Sequence, residues 1–371
     1  MGFSHADHQH MARALRLAEK GRFTTSPNPN VGCVLVSPSG EIIGEGWHQQ
    51  AGGPHAEVFA LRDAGDLAKG ATAYVTLEPC SHHGRTPPCA DALIKAGVAR
   101  LVCAMQDANP KVAGQGIQRL IDAGVEVQVG LMESESHKLN HGFFTRMTKG
   151  RPHITVKMAA SLDGKTAMAN GHSQWITSAL ARADVQRQRA QSCAILTGSG
   201  TVLIDNPSLN VRLSAEELGL VDLAVRQPLR VIVDSRNQLD PDKQIFQLPG
   251  DILLANKQVS PHLFPKSVRQ WHCTSKGSRV DLAALMMHLG ELGINNLWVE
   301  AGAALTGALL EQQLVDTLVL YQAPKLMGDK AKGLALLPSL THMEQAISLK
   351  WQDIRQVGED LRLTADVQYQ S

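Results

Sequence analysis

Strand-like and helix-like segments alternate along the first 130 residues, and few folds accommodate that order. A predicted helix around residues 7–20 precedes "VGCVLVSPSGEIIGEGW", which reads as two strands joined by a Ser-Pro-Ser-Gly turn. A helix from about His55, the strand "ATAYVTLE", a helix from about Cys89 and the strand "RLVCAM" follow. The helix "GIQRLIDAG" and the strand "VEVQVG" close the series. The pattern predicts an α/β domain, a sheet carrying helices on its faces. "TRMTKGRPH" (145–153), basic and polar with a Gly and a Pro, reads as a linker.

A second α/β series begins with "ITVKMAASLDG" and continues through "AILTGSGT" and "LRVIVDS". A predicted helix at 280–292 sets Leu282, Leu285, Met286, Leu289 and Leu292 on one face, a core stripe. "NNLWVEAGAALTGALL" reads as a strand, a small-residue turn and a helix. With 371 residues the chain can bury two cores, and domains of 1–149 and 150–371 are expected. There are no repeats and no low-complexity segment.

Hydrophobic residues at 43%, charged residues at 19% and a net charge of +1 describe an ordinary globular chain. That charge gives no reason to expect nucleic acid or an anionic membrane as the main partner, while leaving room for a small phosphorylated ligand held by local Arg or Lys. No apolar run is long enough to span a bilayer. The start "MGFSHADHQH" lacks a signal-peptide pattern, and Ala6 departs from a myristoylation motif, so the expected compartment is the cytoplasm. Of the six cysteines, Cys33, Cys103 and Cys193 lie in apolar, strand-like runs and read as buried hydrophobes.

Cys80 and Cys89 are different, because they flank the polar, proline-rich stretch "SHHGRTPP". "PHAEVFAL" places His55 and Glu57 at a predicted helix start, and both cysteines lie near the start of another. One imidazole and two thiolates suit Zn²⁺ and leave a fourth position for water. Glu57 then has a role as proton shuttle between that water and a departing amine. Two rival readings stand beside this one: a closed structural site with His82 or His83 as fourth ligand, and a redox pair. The first leaves Glu57 without a role, and the spacing is not the Cys-x-x-Cys of the second. In the second half, "GSGT" (198–201) and "EAGAALTGA" (300–308) are small-residue segments whose backbone N–H groups could meet phosphates. Neither matches G-x-G-x-x-G, and neither defines a reaction.

"HAE" followed by "PC" and a further cysteine resembles the zinc-dependent cytidine deaminase superfamily. That superfamily's usual Pro-Cys-x-x-Cys is replaced here by "PCSHHGRTPPC", with eight residues between the cysteines. In that departure, and in "SPNPNVGCVLV" and "GEGWHQQAGGPHAE", the chain resembles the bifunctional RibD family of riboflavin biosynthesis. The segments "VKMAASLDGKTA", "SQWIT", "LTGSGTVLIDNPSLNVR", "VDS" and "WVEAG" resemble that family's reductase domain along nearly its whole length. The resemblance implies a cytidine deaminase-like α/β/α domain followed by a dihydrofolate reductase-like α/β domain. It implies deamination of a phosphorylated diaminopyrimidine, then NADPH-dependent reduction of its ribosyl group to ribityl.

By the same resemblance His55, Cys80 and Cys89 would ligate zinc and Glu57 would move the proton. Asn28, His48 and Asn109 would line the pyrimidine pocket, and Arg85 would reach the 5′-phosphate, matching guanidinium to phosphate. Ala159, Trp175, Thr201, Asp205, Ser235 and the run Gly302, Ala303, Ala304, Leu305, Thr306, Gly307 and Ala308 would contact NADPH. Ser173, Arg189, Leu209, Arg212 and Glu300 would contact the ribosyl-phosphate substrate, with Lys157 a further substrate-site candidate. Arg189 and Arg212 read as phosphate partners, with a surface ion pair the alternative for Arg189. Asp205 and Glu300 both stand as proton donors for the reduction. A homo-oligomer, a dimer first, is expected.

Overall fold

The computed structural model describes residues 2–81, 88–109, 113–273 and 276–369. They form two compact units, Met1–Gly150 and Arg151–Ser371. Among the described residues no helix is long and apolar enough to cross a membrane.

In the first unit five strands, β1 (Gly32–Val36), β2 (Ile42–Trp47), β3 (Thr72–Val75), β4 (Arg100–Cys103) and β5 (Glu126–Val129), lie in the order β2-β1-β3-β4-β5. β1 runs antiparallel to β2 and β3, whereas β3, β4 and β5 are parallel. Among the described residues the α-helices α1 (His5–Ala18), α2 (Ala56–Ala64), α3 (Cys89–Lys95), α4 (Gln115–Asp122), α5 (Glu133–Leu139) and α6 (His141–Lys149) accompany them. All five residues of β1 are buried. Cys33 and Leu35 face the layer of α2, α3 and α4, and Val34 and Val36 face the layer of α1. Burial on both faces is what a continuous apolar run such as "GCVLV" encodes. Cys33 and Cys103 pack as core hydrophobes in this unit, as Cys193 does in the second.

The second unit is a nine-stranded sheet. Its strands are β6 (His153–Ser161), β8 (Ala194–Gly198), β9 (Leu229–Val233), β10 (Ile252–Asn256), β11 (Val268–His272), β12 (Asn296–Glu300), β13 (Thr317–Ala323), β15 (Ser348–Val357) and β16 (Asp360–Gln368). The order is β11-β10-β9-β8-β12-β6-β13-β16-β15, and β7 (Lys165–Ala167) pairs apart with β14 (Lys332–Gly333). The first seven strands of that order are parallel, and the β15–β16 hairpin is antiparallel. α10 (Leu282–Glu291) and α11 (Ala303–Glu311) cover one face. α7 (Ala179–Gln191), α8 (Ser199–Asp205) and the short α9 (Gln244–Gln247) cover the other. The stripe on α10 is core at Leu282, Leu285, Met286 and Leu289, but Leu292 sits at the C-cap and is 40% exposed.

The expected linker is corrected. Thr145–Lys149 continue α6, and His153 already opens β6, which leaves Gly150–Pro152 outside both elements. Phe143 and Phe144 bury the helix, while Thr145 and Thr148 donate to the carbonyls of His141 and Phe144. The Arg, Lys and Gly that made the stretch look like a tether are helix-ending residues, with Gly150 at φ 70° closing the last turn.

Candidate active sites

In the first unit three ligand-type side chains converge. His55 is the N-cap of α2, yet its side chain makes no capping hydrogen bond. Its Nδ1 lies 3.2 Å from Cys89 Sγ and 3.5 Å from Cys80 Sγ. Gly46 permits this, because a Cβ there would sit 2.2 Å from the Ala56 carbonyl oxygen, where the first turn of α2 lies on β2. Cys89 opens α3, and its backbone N–H, one of the orphan donors of a first turn, donates to Cys80 Sγ at 3.3 Å. Hydrogen bonds from the Cys89 thiol and from His55 pull the Cys80 thiol down against its own burial. The three donor atoms lie within 4.8 Å of one another. Tetrahedral zinc, with bonds of about 2.0–2.3 Å, spaces its ligands about 3.5 Å apart, so the set fits zinc. Among the described residues no other such grouping occurs.

Glu57, in the first turn of α2, is 3% exposed, and its Oε2 has no hydrogen-bond partner among the described residues. Burial pushes its carboxyl up. An orphaned buried carboxylate oxygen is unfavourable for folding alone and calls for a ligand. The His48 ring stands edge-on to His55, with centroids 5.5 Å apart. His48 Nδ1 donates to the Pro54 carbonyl at 2.9 Å, which leaves Nε2 to accept from the Asn28 side-chain amide at 3.1 Å. Burial pushes His48 down and keeps it neutral. The Asn109 amide N–H donates to Asp107 Oδ1 at 2.8 Å. Arg85 lies outside the described residues, as do His82 and His83.

In the second unit a buried ion pair dominates. Arg189 on α7 donates from Nε and Nη2 to the two Glu300 oxygens at 2.6 and 2.9 Å, and from Nη1 to the Asn210 carbonyl at 3.1 Å. The Trp298 indole N–H reaches Glu300 Oε1 at 3.0 Å. Burial opposes ionisation of Glu300, and the Arg189 guanidinium overrides it, holding the carboxyl at about 2. Glu300 is paired in register with Lys157 on β6, whose ammonium burial pushes down. Arg212 feels both Arg189 and Glu300, and its guanidinium makes no hydrogen bond among the described residues. Asp205 is pushed up by burial, partly offset by a hydrogen bond from Ser173.

The two small-residue segments adjoin, since a Cβ on Gly198 would lie 3.3 Å from Leu305. A Cβ on Gly200 or Gly302 would meet open space, while the Thr197 and Thr306 hydroxyls are buried without partners among the described residues. That cradle, at the carboxyl ends of parallel strands, fits a dinucleotide. Trp175 is 63% exposed beneath the Arg182 guanidinium, 4.4 Å from its ring centroid. Ala159 lies on β6. Thr201 lies on α8, and Ala303, Ala304, Gly307 and Ala308 lie on α11. Two further candidates serve the fold visibly: Ser235 Oγ accepts from the Val280 amide at 2.9 Å, and the Leu209 side chain is core. Leu209 nevertheless holds φ at 49°, a conformation that leucine rarely adopts and that tends to mark functional segments.

Glu78, which the sequence reading passed over, is 6% exposed and accepts four backbone N–H groups. Its one signal was its place directly before Pro-Cys.

Residues 152–363 match the family model of the RibD C-terminal domain. Residues 4–105 match that of the cytidine and deoxycytidylate deaminase zinc-binding region. Riboflavin biosynthesis protein RibD of Escherichia coli is 56% identical over 96% of this chain and 98% of its own. That of Haemophilus influenzae is 49% identical over 98% of each. Among solved structures, Acinetobacter baumannii RibD superposes with a TM-score of 0.88 at 42% identity, over 98% of this chain and 99% of that one. A diaminohydroxyphosphoribosylaminopyrimidine deaminase/5-amino-6-(5-phosphoribosylamino)uracil reductase from Thermotoga maritima does so with 0.86 at 34%, with the same coverage.

Proposed function

The chain belongs to the RibD family, bifunctional deaminases and reductases of riboflavin biosynthesis that use zinc and NADPH, and from that premise we propose that Met1–Gly150 carries the deamination and Arg151–Ser371 the reduction. The substrate is 2,5-diamino-6-ribosylamino-4(3H)-pyrimidinone 5′-phosphate, which loses ammonia before its ribosyl group is reduced to ribityl. The observation that carries the first assignment is the Glu57 Oε2, buried without a partner among the described residues, in a chain whose three ligand-type side chains converge.

His55, Cys80 and Cys89 would hold the zinc, which when bound would supply Lewis acidity toward the attacking water. Glu57 takes a proton from that water on Oε2 and delivers it to the departing amine. Neutral His48 and Asn28, already hydrogen bonded to each other, present a preset edge to the pyrimidine, and Asn109 and Arg85 are assigned to the pyrimidine and the 5′-phosphate on the family resemblance.

NADPH, when bound, supplies the hydride. Gly302–Ala308 offers it the uncapped N-terminus of α11, supported by Ala159, Thr201 and Ser235, with the exposed Trp175 face against it. Arg189 spends all three nitrogens on Glu300 and Asn210, so it positions Glu300, and the free guanidinium of Arg212 takes the substrate phosphate. Ionised Glu300, with Lys157 beside it, accepts hydrogen bonds from the ribosyl hydroxyls, and Ser173 and the Leu209 backbone complete that wall. Of the two carboxyls left open by the sequence, Glu300 is held ionised by Arg189 while burial pushes Asp205 up, so Asp205 is the one we assign to proton donation. Arg212→Ala is expected to raise KM for the phosphorylated substrate by about 10- to 100-fold, with NADPH affinity within about twofold. An unchanged KM would return the phosphate to Arg189.

We read the partner as a second copy of the chain. A bulge near Gln352 keeps Leu349, Trp351 and Ile354 on one face of the edge strand β15. They are 39%, 54% and 58% exposed beside buried Ala365 and Val367, an apolar patch that runs outward from the core. Sedimentation should find a dimer in the wild type and a monomer in Trp351→Asp. A wild-type monomer at micromolar concentration would refute this reading.

A further inference from the structure

We propose that Glu78 is a positioning residue for the deamination, capping α4 from the metal-bearing segment so that the two walls of the pyrimidine pocket keep one spacing. The proposal rests on the placement of Asn109 in that pocket. Glu78 precedes the Pro79-Cys80 pair. Its Oε2 accepts from the N–H groups of Asp107 at 3.1 Å and Gly114 at 2.9 Å, and its Oε1 from those of Gly116 at 2.9 Å and Ile117 at 3.3 Å. Gly114 is the N-cap of α4 and has no side chain to offer, while Gly116 and Ile117 lie in the first turn. The N-cap donor and two first-turn donors of that helix are therefore satisfied by a carboxylate supplied from 36 to 39 residues earlier. No Lys or Arg pairs with Glu78 among the described residues, so the four N–H groups and the positive helix end balance its charge.

The contact is close. A Cβ on Gly116 would sit 1.9 Å from the Pro79 carbonyl oxygen, so α4 starts against the peptide that leads into Cys80. Asn109 lies in the chain between Asp107 and Gly114, the two residues held by one oxygen. The carboxylate thus ties Asp107 and Gly114, which flank Asn109 in the chain, to a residue two positions before the ligand Cys80. Only an ion with two acceptor oxygens can do this, because an amide would turn its NH₂ toward two N–H donors.

A residue that merely holds the fold would, when replaced, lower the fraction of active, zinc-loaded chains and leave KM alone. Glu78→Gln is instead expected to raise KM for the diaminopyrimidine about 10- to 100-fold. The turnover per bound zinc should stay within about threefold, since His55, Cys80, Cys89 and Glu57 are untouched. Glu78→Asp keeps the charge but draws the oxygens back, and it serves if the glutamine variant does not fold, with the same split at smaller amplitude. Asn109→Ala is assayed alongside. If it raises KM while a folded, zinc-loaded Glu78 variant does not, the proposal is overturned. If Asn109→Ala leaves KM unchanged, the placement of Asn109 fails on its own account, and Glu78 is then judged by its own KM. A loss of activity in step with zinc content at constant KM also overturns the proposal.

Discussion

Glu57→Gln should cut ammonia release from the diaminopyrimidine by about 10²- to 10⁴-fold, the usual contribution of a positioned proton shuttle. The substitution is nearly isosteric, and Glu57 is not a ligand, so zinc content measured by atomic absorption should stay at one per chain. Reduction of the already deaminated substrate should proceed at the wild-type rate, because Glu57 belongs to the first unit and the Arg189–Glu300 pair to the second. Full deamination in a zinc-loaded Glu57→Gln protein would remove Glu57 from the chemistry. It would also leave the orphaned, buried Oε2 without an explanation.

The second large effect concerns stability as much as catalysis. Glu300→Gln leaves the Arg189 guanidinium buried with no carboxylate, which typically costs about 3–5 kcal/mol. For a unit of this size that corresponds to a fall in Tm on the order of 10 °C. The pH dependence has a defined sign. The Glu300 carboxyl is held at about 2, below its ordinary 4.5, so its contribution is fully present above about pH 4.5 and is lost as pH falls through about 2. A shift of that size corresponds to about 3 kcal/mol. Thermal unfolding of the wild type should therefore weaken between about pH 5 and 2. The variant should show a flatter profile over the same range and no reductase activity. Equal acid sensitivity in both proteins would mean that the pair carries no linked stability.

Local pattern carried most of the architecture. "GCVLV" is apolar throughout, and β1 is buried on both faces. The 3, 4 and 7 spacing of Leu282 to Leu289 marked the core face of α10, and failed only at Leu292, where the helix has ended. The convergence of His55, Cys80 and Cys89, the zinc ligands we propose, was legible because those residue types are rare in combination, even though His55 and Cys89 are 34 residues apart. What stayed hidden depends on tertiary contact. Arg189 and Glu300 are 111 residues apart, and nothing in either neighbourhood told a buried pair from two surface charges. Glu78 likewise gives no periodic signal, because its partners are backbone amides of a helix that comes later. The linker was misread at Thr145–Lys149, since a basic helix end and a tether share the same residues.

The most direct test of the whole account is a single incubation of the zinc-loaded chain with the phosphorylated diaminopyrimidine, with and without NADPH, following ammonia and both pyrimidine products. Without NADPH the deaminated ribosyl compound should accumulate, with ammonia released in equal amount. With NADPH that compound should pass on to the ribityl product while NADPH is oxidised in equal amount. Ribityl product formed without prior ammonia release, or NADPH left unoxidised in the presence of the deaminated compound, would contradict the assignment of two sequential sites to this one chain.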